Sequence, residues 1–143
     1  MAVRLGNLGG TASPMAGKYQ ELSGLWVNID RVEYAADLHA PPHRPHRFAY
    51  FITIHNDSLR VVTITGRKWV VTNAHGHRLI VEGDGVVGQF PRLTPGDRFH
   101  YNSYHLLDTD SVAEGAYLGK DEEGQAVIVR IPPFTMKVPV EGA

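Results

Sequence analysis

The 143-residue chain has no cysteine. This excludes disulfides, thiolate metal sites and a cysteine nucleophile, and it suits a reducing compartment. Long apolar runs are also missing: none approaches the roughly 20 residues needed to cross a bilayer. The N-terminal residues lack the apolar stretch of a secretory signal. The expectation is a cytoplasmic protein with no membrane association. An excess of either charge is absent too, with 14 Lys and Arg against 15 Asp and Glu and a formal net charge of −1. No global field draws such a chain to nucleic acid or to a membrane surface. The last absence is helical: no window carries a 3.6-residue apolar period.

What remains is alternation. Phe48, Tyr50, Ile52 and Ile54 share one parity, with Ala49, Phe51, Thr53 and His55 on the other, so Phe48 to His55 reads as the clearest strand. Leu25 to Tyr34 alternates imperfectly, with a slip before Val32, as suits an edge strand. Val61 to Thr65 and Arg67 to Thr72 read as two strands. Val62 and Ile64 have one parity, Trp69 and Val71 the other, so a bulge near Gly66 brings all four to the core. Asn73-Ala74-His75-Gly76 reads as a hairpin loop, and Asp121 to Gly124 repeats its chemistry. Arg78 to Glu82, Arg98 to Leu107, Ala116 to Lys120 and Gln125 to Ile131 complete the readable strands. Asp108 to Glu114 is expected to be a polar connection. Pro132-Pro133 is expected to break pairing before a last strand at Phe134, Met136 and Val138. Ala35 to Arg47 reads as an extended, proline-rich loop. Residues 1–24 read as a mobile tail and residues 25–143 as a single domain. About eight short strands without a helix predict an all-β, antiparallel sandwich with no disulfide.

The densest glycine stretch runs from Val81 to Gly96 and contains Gly83-x-Gly85-x-x-Gly88. That spacing fits a phosphate cradle when a helix follows it. Here Phe90-Pro91 and Thr94-Pro95-Gly96 follow instead, which favours a glycine-rich crossing between sheets. The cradle stays open as an alternative, with Gly83, Asp84, Gly85 and Gly88 as its candidate residues.

The longer pattern Val81-x-Gly83-x-Gly85-Val86-Val87-Gly88-x-x-Pro91-x-Leu93-x-Pro95-Gly96-x-x-Phe99-x-Tyr101-x-Ser103 resembles the signature of the bacterial ApaG family. Phe48-Ala49-Tyr50, Arg67-x-Trp69 and Ile131-Pro132-Pro133-Phe134 agree with it, and the resemblance covers about residues 25 to 139. It departs at Tyr104, in Asp110 to Gly115, and in the Pro-His-Arg repeat of the first long loop. The resemblance implies a fibronectin-III-like or immunoglobulin-like sandwich. It also implies an association with cobalt and magnesium handling, with diadenosine tetraphosphate metabolism, and with adaptor roles in larger proteins. It brings no catalytic residues.

The residues themselves offer weaker chemistry. His43-x-x-His46 and His75-x-His77 are candidate imidazole pairs for a weakly held divalent metal. A tight site normally takes three or four ligands, so no cofactor is expected. Ser103 and His105 share a parity, and His100 has the other, but no third catalytic group is identifiable. Arg44, Arg47, Arg60, Arg67 and Lys68 form a candidate basic patch near Trp69. Exposed aromatics and an unpaired edge strand offer protein contacts. The expectation is a non-catalytic binding or adaptor module, monomer or homodimer, whose partner is another protein. Nucleotide binding through the glycine loop and metal binding through the histidines are the alternatives.

Overall fold

The computed structural model describes residues 18–35 and 39–140. The expected tail therefore falls mostly outside the described residues, as do residues 36–38 of the proline-rich loop. Two sheets form a sandwich. The larger contains β1 (Gln20–Glu21), β9 (Ala126–Met136), β8 (Ser111–Asp121), β4 (Val62–Asn73) and β5 (Arg78–Asp84) in that order, with β6 (Arg92–Leu93) also paired to β4. The smaller contains β2 (Leu25–Tyr34), β3 (His46–Asn56) and β7 (Arg98–Leu107). All pairings are antiparallel except β1 with β9.

The parity switch in β4 is real, and it occurs inside one strand rather than between two. The β4–β8 register shifts between Ile64 and Gly66. One extra residue on one side of a ladder turns every later side chain over. Val62 and Ile64 before the bulge are buried in the core, and so are Trp69 and Val71 after it. β2 slips between Ile29 and Arg31 at the free edge of its sheet.

Three sequence expectations need correction. Residues 111–114 belong to β8, so the connection from β7 is only Asp108 to Asp110. Ser111 and Ala113 face the core but are too small to signal it. Pro132-Pro133 does not end a strand, because β9 runs through both prolines. The β8–β9 register shifts between Ala113 and Gly115, so Glu114 lies opposite the proline pair and the lost donors fall in a bulge. Finally, His46 and Arg47 start β3 rather than ending the loop.

The two polar hairpin loops do share their chemistry. Asn73 Oδ1 accepts the amides of His75 and His77 at 2.9 and 3.0 Å. Asp121 Oδ1 accepts those of Glu123 and Gln125, both at 2.9 Å. These bonds hold the Asp121 carboxyl below the usual range, the Gln125 amide contributing most.

Between the sheets lies an aromatic cluster. The Tyr50 ring stands 5.0 Å from Trp69 and 4.7 Å from His105, and Phe134 closes the group at 5.8 Å from Trp69. The Tyr101 and Tyr117 hydroxyls hydrogen-bond across the gap. Desolvation pushes both of these phenols up. Burial pushes the His105 imidazole down from 6.5 to about 4, because a charged ring there would lose its hydration.

Two tests follow from this packing. A Cβ on Gly115 would overlap the Lys68 carbonyl oxygen, whereas one on Gly88 meets nothing but sits at φ 76°. Gly115→Ala is expected to cost about 3 kcal/mol and Gly88→Ala about 1 kcal/mol in urea unfolding. Equal costs would contradict the ladder geometry. The second test concerns pH. The unfolded chain protonates His105 near 6.5, but the folded chain resists until about 4. Stability is therefore lost as pH falls through that window, by about 2 kcal/mol between about pH 7 and 5. His105→Phe should flatten that part of the stability profile. An unchanged slope would show that His105 titrates normally.

Candidate functional site

The glycine stretch forms a tight hairpin that carries the chain from β5 to β6. Val86 and Gln89 exchange backbone bonds of 2.8 and 2.9 Å across the two-residue turn Val87-Gly88. Both turn residues have positive φ, 45° and 76°, the pattern of a type I′ turn. Gly85 donates to the Thr65 carbonyl at 2.8 Å. Gly83 leaves room for the Arg67 guanidinium, which donates to the carbonyls of Asp84 and Gly85 at 2.9 and 3.2 Å. The amides of Gly85, Val86 and Gln89 are thus committed within the chain. The chain then runs along β4 as β6, so the glycine segment 83–88 joins two strands of one sheet, and the crossing to the other sheet comes only at Thr94 to Asp97. The Asp97 carboxylate accepts from the Thr94 amide and hydroxyl at 2.8 and 2.7 Å, which holds its carboxyl below the usual range.

The four candidate metal ligands are spread over the β3 side and the β4–β5 loop. His46 Nδ1 lies 3.1 Å from the Tyr34 hydroxyl. Gly76 turns at φ 82°, and the His75 and His77 rings stand 6.2 Å apart. His43 and His77 border a common hollow of about 380 Å³. Among the described residues no group of three or more His, Cys, Asp or Glu is placed to hold a metal ion.

The basic residues separate as well. Arg60 pairs with Asp121 at 2.8 Å, and Lys68 with Glu82 at 3.5 Å. The Arg47 guanidinium lies 4.4 Å from the centre of the Tyr104 ring. Arg44 and Arg67 instead line a cleft on the open side of the sandwich, where the edge strands β5 and β7 face each other. The cleft holds about 350 Å³. Trp69, 1% exposed, and His105 both line it, and neither the indole Nε1–H nor His105 Nε2 has a partner among the described residues.

Sequence reasoning placed Ser103 and His105 on one face, and both do border this cleft. It missed a polar chain on the outer face of the smaller sheet. There the Thr53 hydroxyl donates to Asp30 Oδ2 at 2.6 Å and lies 2.6 Å from His100 Nδ1. The Thr53 bond holds the Asp30 carboxyl below its usual range. Thr53 is 1% exposed, and its proton points at the carboxylate rather than the imidazole, so the chain locks three strands together. Only the register could have revealed it, since Thr53 lies opposite both Asn28 and His100.

Comparisons with known proteins agree with this picture. The ApaG domain family matches residues 36–120. Protein ApaG of Vibrio cholerae is 41% identical over 110 residues, covering 76% of this chain and 87% of its own. Protein ApaG of Salmonella arizonae is 39% identical over 101 residues, covering 70% and 81%. Among solved structures, a Bordetella pertussis protein described as ApaA superposes with a TM-score of 0.73 at 30% identity, over 85% of this chain and 98% of that one. With a family match over more than half its length and relatives near 40% identity, this chain belongs to the ApaG domain family.

Proposed function

We propose that this ApaG-domain chain is a non-catalytic binding module that docks another protein through the tip of its 85–90 hairpin. The observation that carries this reading is Val87. A β-branched residue at φ 45° is in a conformation that favours glycine or asparagine. Such strain costs on the order of 1–3 kcal/mol, and it tends to collect where function needs the side chain. Val87 gains nothing from the core in return, being 45% exposed, and neighbouring Phe90 is 57% exposed. Two apolar side chains therefore project from a rigid turn, the form of a small anchor for a partner's pocket.

The committed amides of Gly85, Val86 and Gln89 support a protein-facing use of this stretch over a phosphate-facing one. In this reading the links to cobalt, magnesium and diadenosine tetraphosphate that the family resemblance implies run through the partner.

Val87→Asn is expected to raise the unfolding free energy by about 1 kcal/mol. Phe90→Ser is expected to stay within about 0.5 kcal/mol of the parent. Affinity capture with the parent and Phe90→Ser, run side by side, tests the contact. A protein retained in stoichiometric amount by the parent and lost by the variant supports it, and identical capture by both sinks it. Turnover of diadenosine tetraphosphate by the purified chain would overturn the non-catalytic part.

A further inference from the structure

The cleft between β5 and β7 shares no residue with the hairpin tip, and it has a chemistry of its own. Its floor is set by the row that pairs Trp69 with Val81 and by Tyr50 on the opposite sheet. Burying an indole N–H without an acceptor costs about 1–3 kcal/mol. Native cores rarely leave such groups unmet. Here two neighbouring rings do so, with Trp69 and His105 4.8 Å apart, and both line the same cleft. The indole N–H can only donate, so what it lacks is an acceptor.

The surrounding charge points the same way. Arg44 and Arg67 line the cleft, and among the described residues no carboxylate does. The walls are apolar, with Val71, Leu79 and Val81 on one side and Leu106 and Leu107 on the other. Leu79 remains exposed. A volume of about 350 Å³ lies at the small end of the range for ligand pockets.

We propose that this cleft binds a small organic anion, a flat apolar body ending in a carboxylate. The body lies between the β5 and β7 walls, and the carboxylate accepts from the Trp69 indole N–H within reach of Arg44 and Arg67. The site is independent of the hairpin reading and adds a small-molecule ligand to a protein-binding fold.

The probe is 1-naphthoate, followed by amide and indole correlation spectra of the labelled full chain. The chain has two tryptophans, and Trp26→Phe assigns the remaining indole signal to Trp69. The expected result is a saturable shift of the Trp69 indole N–H with the Trp26 signal unmoved. Neutral 1-naphthalenemethanol should bind at least about tenfold more weakly. Arg44→Gln should weaken naphthoate severalfold, and Leu79→Glu should abolish its binding. Both side chains are solvent-accessible, so these variants are expected to fold. Equal affinity for acid and alcohol would overturn the anionic class. A Trp69 signal that does not move up to about 5 mM naphthoate, in a folded protein, would overturn the site.

Discussion

The geometry of this sandwich depends on one extra residue in β4. The register shift between Ile64 and Gly66 turns the second half of the strand over. Arg67, Trp69 and Val71 then face the opposite sheet, while Lys68 faces outward to Glu82. Without it, Arg67, Trp69 and Val71 would exchange faces with Lys68, Val70 and Thr72. Glycines on the partner strand make the bent ladder feasible. At Gly115 and Gly119 any Cβ would run into the carbonyl oxygens of Lys68 and Thr63. The two central strands thus approach closely because β8 has no side chains at those two positions.

The site features follow from that turn-over. Arg67, now facing inward, reaches over Gly83 to hold the carbonyls of Asp84 and Gly85, and so braces the base of the hairpin. Trp69 enters the inter-sheet space beside Tyr50 and His105 and borders the cleft, its buried indole N–H without a partner among the described residues. One backbone irregularity therefore positions both surfaces proposed to bind: a rigid apolar tip at one end of β5, and a cleft bordered by Arg44 and Arg67 along its inner face. The tip suits a macromolecule, and the cleft is sized for a small molecule.

Much of the fold was legible because alternation reports burial directly. Phe48 to His55 and the parity change at Gly66 could be read from large apolar residues alone. The errors arose where the signal was small or ambiguous. Ser111 and Ala113 face the core without bulk, so the start of β8 looked like a loop. Pro132-Pro133 looked like an end because proline cannot donate, but a bulge opposite Glu114 absorbs both residues. The two-residue strands β1 and β6 are too short to carry any pattern. The glycine stretch was read as a crossing between sheets, but its 83–88 segment is a hairpin within the larger sheet and the crossing follows at Thr94 to Asp97. The strain at Val87 was invisible, since nothing local in the sequence states a φ. The cleft was out of reach for a different reason: it needs β5 and β7, from different sheets, to be neighbours. Periodicity orders residues along strands and does not say which edges meet.

The central claim is that the bulge carries Trp69 inward. It is tested most directly by acrylamide quenching of Trp69 emission in the Trp26→Phe protein. Short-wavelength emission almost insensitive to quencher is expected, as befits a side chain 1% exposed. Quenching at the rate of a solvent-exposed indole would contradict it, because residues 66–72 would then present their other face to the core.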